Sequence, residues 1–228
     1  MVSASPAPAA ANLDRRVLTL PLEPGLLCLR GLSPRRLRFE VEYGLERGTT
    51  ANSFLLTGGA ADDGHGVPPV LIHPPGMTYA EPFFTALAAQ VNADAPLKVV
   101  VGVINPNRVE LLRAMARRWP QLALVASNAG AKLLRELWSQ QRPTQAGAVD
   151  PEPLPPLPAI DVVRQETSRP LAGGLQLRLI PAPTPRWPGA LMAFEERSGL
   201  LMSSKFFSAH LCVEAFAERN RSSTEEDR

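Results

Sequence analysis

The hydrophobic positions of this chain change period as the sequence advances, and the changes mark out its elements. Val17 to Leu20 and Leu26 to Leu29 are short apolar runs either side of Glu23-Pro24-Gly25, which predicts a hairpin or two adjacent strands. Arg38 to Tyr43 alternates, with Phe39, Val41 and Tyr43 on one face, and Asn52 to Thr57 predicts another strand, closed by Gly58-Gly59. Ala60 to Val67 reads as a polar turn. Pro69 to Ile72 predicts a strand ending in His73-Pro74-Pro75-Gly76, and Glu81 to Val91 has helical spacing through Phe84, Leu87 and Val91. Leu97 to Ile104 reads LKVVVGVI, the nearly continuous run of a strand buried on both faces. Asn107 is expected to cap a helix running to about Arg118, with Val109, Leu112, Met115 and Ala116 on its apolar face. Leu122 to Ala126 predicts the next strand, and Asn128 begins a helix through Leu133, Leu134 and Leu137.

Beyond this alternation of strand and helix, Pro143 to Pro158 contains six prolines and is expected to be an extended surface loop. Gln176 to Ile180, Ala190 to Phe194 and Leu200 to Ser203 then predict short strands, joined by turns at Pro185 to Gly189 and Arg197-Ser198-Gly199. Strand-rich halves around a helical middle predict an α/β (α+β) fold of two packed sheets with helices outside, a four-layer αββα sandwich. The expected organisation is a disordered Ala/Pro/Ser-rich tail over 1–14 and one domain over 15–228, interrupted by a Pro-rich loop at 141–160. No internal repeat is visible.

Composition narrows the classes. Apolar residues at 45% and charged residues at 20% are the balance of a folded domain. A net charge of +2, with basic side chains scattered among acidic ones, argues against a nucleic-acid partner. Cys28 and Cys212 lie far apart with no CxxC pair, so both are expected to be buried thiols in a reducing compartment. No apolar stretch is long enough to span a membrane and no signal-peptide pattern begins the chain, so the expected location is cytoplasmic.

Six segments in order, RGTTANSFLL, VLIHPPG, VGVINPNRVELLRAM, ASNAGAKLL, PTPRWPGALMAF and LLMSSKFFSAH, resemble the flavodiiron proteins, and more closely their cyanobacterial diflavin type. The resemblance runs from about Val17 to the end. It implies a metallo-β-lactamase-like αββα domain. In active members that domain holds two irons and reduces dioxygen to water, with electrons reaching it from a flavodoxin-like FMN domain. It also implies a C-terminally truncated chain, because family members continue past the block that ends here, into the rest of the sandwich and the FMN domain.

In active members the turn after the buried strand reads His-x-Glu-x-Asp-His, a set of imidazoles and carboxylates suited to iron. By resemblance, Val103 stands at the first histidine, Asn105 at the glutamate, Asn107 at the aspartate and Arg108 at the second histidine. Arg186 falls at a further histidine and Lys205 at the bridging aspartate. An alkyl group, two amides and three cations do not bind iron, which needs carboxylates and neutral imidazoles. Neither a metal site nor catalytic residues are therefore expected, and no cofactor in this chain, although the family carries di-iron and FMN. His73 and His210 are expected to be structural, and His65 exposed. Arg108, Arg186 and Lys205 are expected to fill the vacated pocket and pair with carboxylates such as Glu110 or Glu195, with Arg186 stacking on Trp187.

Two functions follow from the resemblance. In the first, the domain belongs to NAD(P)H-dependent reduction of dioxygen to water. It is non-catalytic alone and acts as scaffold or partner in a homo- or heterodimer with a flavodiiron paralogue. The alternative is a metal-free regulatory module whose three cations bind an anion or nucleotide. Hydrolysis of the β-lactamase kind needs the same missing ligands.

Overall fold

The structure, a computed structural model, describes residues 15–34, 48–60, 66–140, 153–208 and 212–214. The first apolar runs form the predicted hairpin, β1 (Arg16–Glu23) and β2 (Leu26–Ser33), turned by Gly25 at φ +81°. Next, β3 (Thr49–Leu56) pairs antiparallel with β2 from Ser33↔Thr49 to Leu26↔Leu56. A two-residue pair, β4 (Gly59–Ala60) and β5 (Gly66–Val67), takes both ends of the segment expected as a polar turn, whose residues 61–65 lie outside the described residues, and β6 (Val70–Ile72) adds antiparallel to β3.

From this point the connections become helical: α1 (Ala80–Ala88), β7 (Leu97–Val100), α2 (Pro106–Arg118), β8 (Leu122–Ser127), α3 (Asn128–Trp138) and β9 (Ile160–Val163). Strands β6, β7, β8 and β9 are parallel neighbours, as βαβ crossovers require, and complete a seven-stranded sheet of order β1-β2-β3-β6-β7-β8-β9. A second, antiparallel sheet follows in chain order: β10 (Thr167–Pro170), β11 (Gln176–Pro181), β12 (Leu191–Glu195) and β13 (Leu200–Met202).

Two apolar cores result, one on each face of the large sheet. Leu29, Leu55, Leu71, Val99 and Leu124 pack beneath Phe83, Leu87, Leu112, Met115 and Leu134 of the three helices. The opposite face, through Cys28, Phe54, Ile72, Val100 and Val125, packs on Leu177, Leu179, Leu191, Ala193 and Met202 of the small sheet. Neighbouring residues Val99 and Val100 thus serve different cores, which is why this strand shows no polar alternation at its end. Among the described residues the layers are helix, sheet, sheet. No α-helix among them covers the outer face of the small sheet, so three of the four expected layers are seen.

Several expectations need correction. The run Leu97 to Ile104 is strand only as far as Val100; the rest is a buried loop, apolar because Val101 and Ile104 pack into the helix-side core. Asn105, not Asn107, caps α2, and Ser127 rather than Asn128 caps α3. Ile160, expected at the end of the Pro-rich loop, opens β9, and β10 was not anticipated. Of the two thiols, Cys28 is buried, and burial pushes its pKa up to about 12, but Cys212 is only half-buried. The tail over 1–14, the strand expected at Arg38 to Tyr43 and the loop over 141–152 lie outside the described residues. No helix among the described residues is long and apolar enough to cross a membrane.

Candidate functional site at the strand ends

The carboxyl ends of β6, β7 and β8 open toward one end of the sandwich, where α/β sheets commonly place their ligands. His73 leaves β6 in the left-handed region at φ 57° and is buried. Its N–H donates to the Val100 carbonyl at 2.9 Å, and its own carbonyl accepts from Ser53 Oγ at 2.9 Å. The ring Nε2 lies 2.9 Å from the Met202 carbonyl at the end of β13, which ties the loop after the large sheet to the small one. A carbonyl only accepts, so Nε2 carries a proton. Burial lowers the His73 pKa to about 4 against the opposing bond to Met202, and Arg108 nearby lowers it further.

Gly102 lies against this ring. A Cβ there would overlap His73 Cε1 and Nδ1 and come within 2.9 Å of the Leu191 carbonyl, so only glycine fits. The Gly102 carbonyl accepts from Leu191 N–H at 3.1 Å, a second stitch between the sheets. Val103 is buried. Asn105 accepts the Arg108 N–H at 2.9 Å through Oδ1, and Pro106 follows at the first helical position, so this amide is used as a helix cap. Asn107 packs its side chain onto Gly76, where a Cβ would overlap it.

Arg108 points inward. Its Nη1 donates to the Val103 carbonyl at 2.8 Å, and its Nε is buried without a partner. Desolvation lowers its pKa to about 10, so the guanidinium stays charged at neutral pH. The expected partner Glu195 is turned elsewhere. Its oxygens accept from Arg197 N–H at 3.1 Å, Ser198 N–H at 2.8 Å and the Ser198 hydroxyl at 2.6 Å, closing its own turn. Burial alone shifts the Arg108 pKa, with no carboxylate among the described residues opposing it.

Arg186 and Lys205 are exposed, on the loop before β12 and the turn after β13. Both segments reach the same end of the molecule, since Leu191 is bonded to Gly102 and Met202 to His73. The Arg186 guanidinium lies 5.8 Å from the Trp187 ring centroid, the expected stacking. Ser127 accepts from Gly130 N–H at 3.1 Å and donates to the Gly189 carbonyl at 2.9 Å, anchoring the Arg186 loop to the start of α3. The structure therefore gathers Val103, Asn105, Asn107 and Arg108 around His73 and Gly76, with Arg186 and Lys205 at the rim. His65 and His210 lie outside the described residues.

Sequence reasoning missed Gly102 and Ser127. A glycine inside a β-branched run was the available signal for the first, and Ser-x-x-Gly before a helix for the second. Among the described residues no group of three or more His, Cys, Asp or Glu side chains could hold a metal. The di-iron centre implied by the resemblance does not fit the residues present: one amide is a helix cap, one is packed on Gly76, Val103 is an alkyl group and Arg108 is a cation.

Two packed sheets with helices on one flank, and loops gathered at the parallel strand ends, define a metallo-β-lactamase-like core. No protein-family model matches the chain. Its sequence is 34% identical to diflavin flavoprotein A 6 of Nostoc sp. over 94% of the chain, and 30% identical to diflavin flavoprotein A 2 of Thermosynechococcus vestitus over 94%. These matches cover 34% and 33% of those proteins, so the chain spans about a third of the length of the curated relatives it matches. The fragment 1–254 of diflavin flavoprotein A 5 from Nostoc sp. superposes with a TM-score of 0.75 at 31% identity, covering 93% of this chain and 75% of that one. The metal-soaked Flv1 flavodiiron core of Synechocystis superposes with a TM-score of 0.76 at 30% identity, over 94% of this chain and 48% of that one. The chain belongs to the flavodiiron family, within its diflavin flavoproteins.

Proposed function

We propose that this domain is a metal-free flavodiiron core that serves as scaffold in a dimer with an iron-bearing paralogue, within NAD(P)H-dependent reduction of dioxygen to water in the cytoplasm. The observation that carries the reading is the use of the strand-end turn: Asn105 caps α2 and the Arg108 guanidinium lies near a neutral His73. A cation held there repels iron, and a neutral amide oxygen already turned to the helix cap is a poor substitute for a carboxylate ligand. The domain supplies no redox step of its own; its contribution is shape and a contact surface for the catalytic partner.

Two measurements test this. Metal analysis of the purified chain should find less than one iron per chain after reconstitution with ferrous iron under anaerobic conditions. Co-expression with a flavodiiron paralogue that keeps its histidines and carboxylates should yield a complex by light scattering. Stoichiometric iron in this chain, or a monomer in the paralogue's presence, would sink the proposal.

A further inference from the structure

Arg108 is a half-buried cation whose Nε is enclosed and whose charge is not offset inside the described structure. Its single bond to the Val103 carbonyl leaves Nε buried and unpartnered. The adjacent ring of His73 is neutral and donates away from it to Met202. Glu195 is committed to its own turn. The residue also sits in the first turn of α2, three positions after the cap, where the helix contributes positive partial charge rather than negative. The N-terminus of α3 follows the neighbouring strand end of β8 and adds charge of the same sign. Desolvating a guanidinium N–H with no partner and no counter-charge is costly, so native structures pair such groups.

The geometry points to an oxyanion site. We propose that Arg108 anchors a phosphate or carboxylate group at the carboxyl ends of β6, β7 and β8, with Arg186 and Lys205 on the rim guiding it in. A guanidinium side presents Nε–H and Nη–H in the fork that matches two oxygens of one such group, which a metal-binding turn of histidines and carboxylates does not. The site inverts the charge preference of its relatives' metal centres. This inference rests on the metal-free reading of the pocket.

The test uses the purified chain at constant ionic strength, with inorganic phosphate, AMP and acetate as separate probes in calorimetry and thermal melts. The expected result is saturable binding with a rise in Tm. A phosphate site favours the first two probes, a phosphate-ester site AMP alone, and a carboxylate site acetate. Arg108→Gln should abolish binding and Arg108→Lys weaken it about tenfold, the loss of one hydrogen bond to a charged group. Should either variant fail to fold, a phosphate-soaked crystal of the native chain decides, with density expected within hydrogen-bond reach of Arg108 Nε. No saturable response to any probe, binding unchanged in Arg108→Gln, or empty density beside Nε overturns the inference. Iron measured on the same sample separates the outcomes: an iron-loaded chain overturns the metal-free reading as well, whereas an iron-free chain that ignores all three probes overturns only the oxyanion site.

Discussion

Lowering the pH should unfasten the two sheets through His73. The ring is fully enclosed, its Nε2 is fixed on the Met202 carbonyl, and its pKa falls to about 4 from 6.5. Between those values the unfolded chain takes up a proton that the folded chain refuses. The stabilising contribution of a neutral His73 is thus complete above pH 6.5 and is lost as pH falls toward 4. At 1.36 kcal/mol per pH unit the loss amounts to about 3 kcal/mol, a large fraction of the stability of an ordinary domain. Asp161, Glu195 and Glu196, whose pKa values are lowered, also lose stability in acid, so the His73 share has to be isolated. His73→Gln does this, because its amide keeps a donor near the Nε2 position and does not titrate. Urea melts of both proteins at intervals from pH 7.5 to 4 should give stability curves that converge by about 3 kcal/mol toward low pH. Curves that stay parallel within about 0.5 kcal/mol would refute a neutral, proton-refusing His73.

Substitutions at three further positions test the packing of the large sheet and its helices. Gly102→Ala places a methyl group into the His73 ring and the Leu191 carbonyl, and should cost about 1–3 kcal/mol in urea denaturation, with the Met202 bond weakened. Arg113→Ala removes an Nη2 that reaches the carbonyls of Leu137, Trp138 and Gln140 at 2.7, 2.6 and 2.7 Å, and a contact with the Trp138 ring. The end of α3 should become the first part of the molecule to lose amide-exchange protection, at a cost of about 2–4 kcal/mol. Asn105→Ala should lower stability by about 1 kcal/mol with an unchanged m-value, while Asn105→Asp, which also accepts a helix N–H, should restore it.

The parts of the fold that announced themselves in the sequence are those whose apolar residues recur at a regular spacing or form an unbroken run. The hairpin of β1 and β2, the β-branched β7 and the apolar face of α2 follow from spacing alone, because each buries one stripe or one strand against a core. Strands β9 and β10 did not, for reasons that are physical. Ile160–Val163 is four residues long and emerges from prolines, and Thr167–Pro170 is polar because it edges a sheet and meets solvent on alternate positions. The end of β7 was misjudged because hydrophobicity reports burial rather than hydrogen bonding, and the loop through Gly102 and Val103 is as buried as the strand before it. The cap of α2 was placed two residues late although Pro106 marked the first helical position. At the candidate site, residue identity revealed that the side chains were wrong for iron, but not how they are used. Nothing in the sequence around Arg108 distinguishes a guanidinium paired with Glu195 from one that donates to Val103, since that choice depends on a turn about ninety residues away.

The bond from His73 to Met202 closes a loop of 129 residues, and that length governs the order of events when the chain folds. Joining such distant points costs about 4 kcal/mol of chain entropy before any contact is gained. The hairpin, and the βαβ units whose partners lie close in sequence, meet no comparable barrier and can assemble first. The small sheet, itself a local meander, docks afterwards as a unit, with His73 and Gly102 as its catches. Weakening those catches should therefore hasten unfolding far more than it slows folding, and protease should release the β10 to β13 segment while the helical half still holds together.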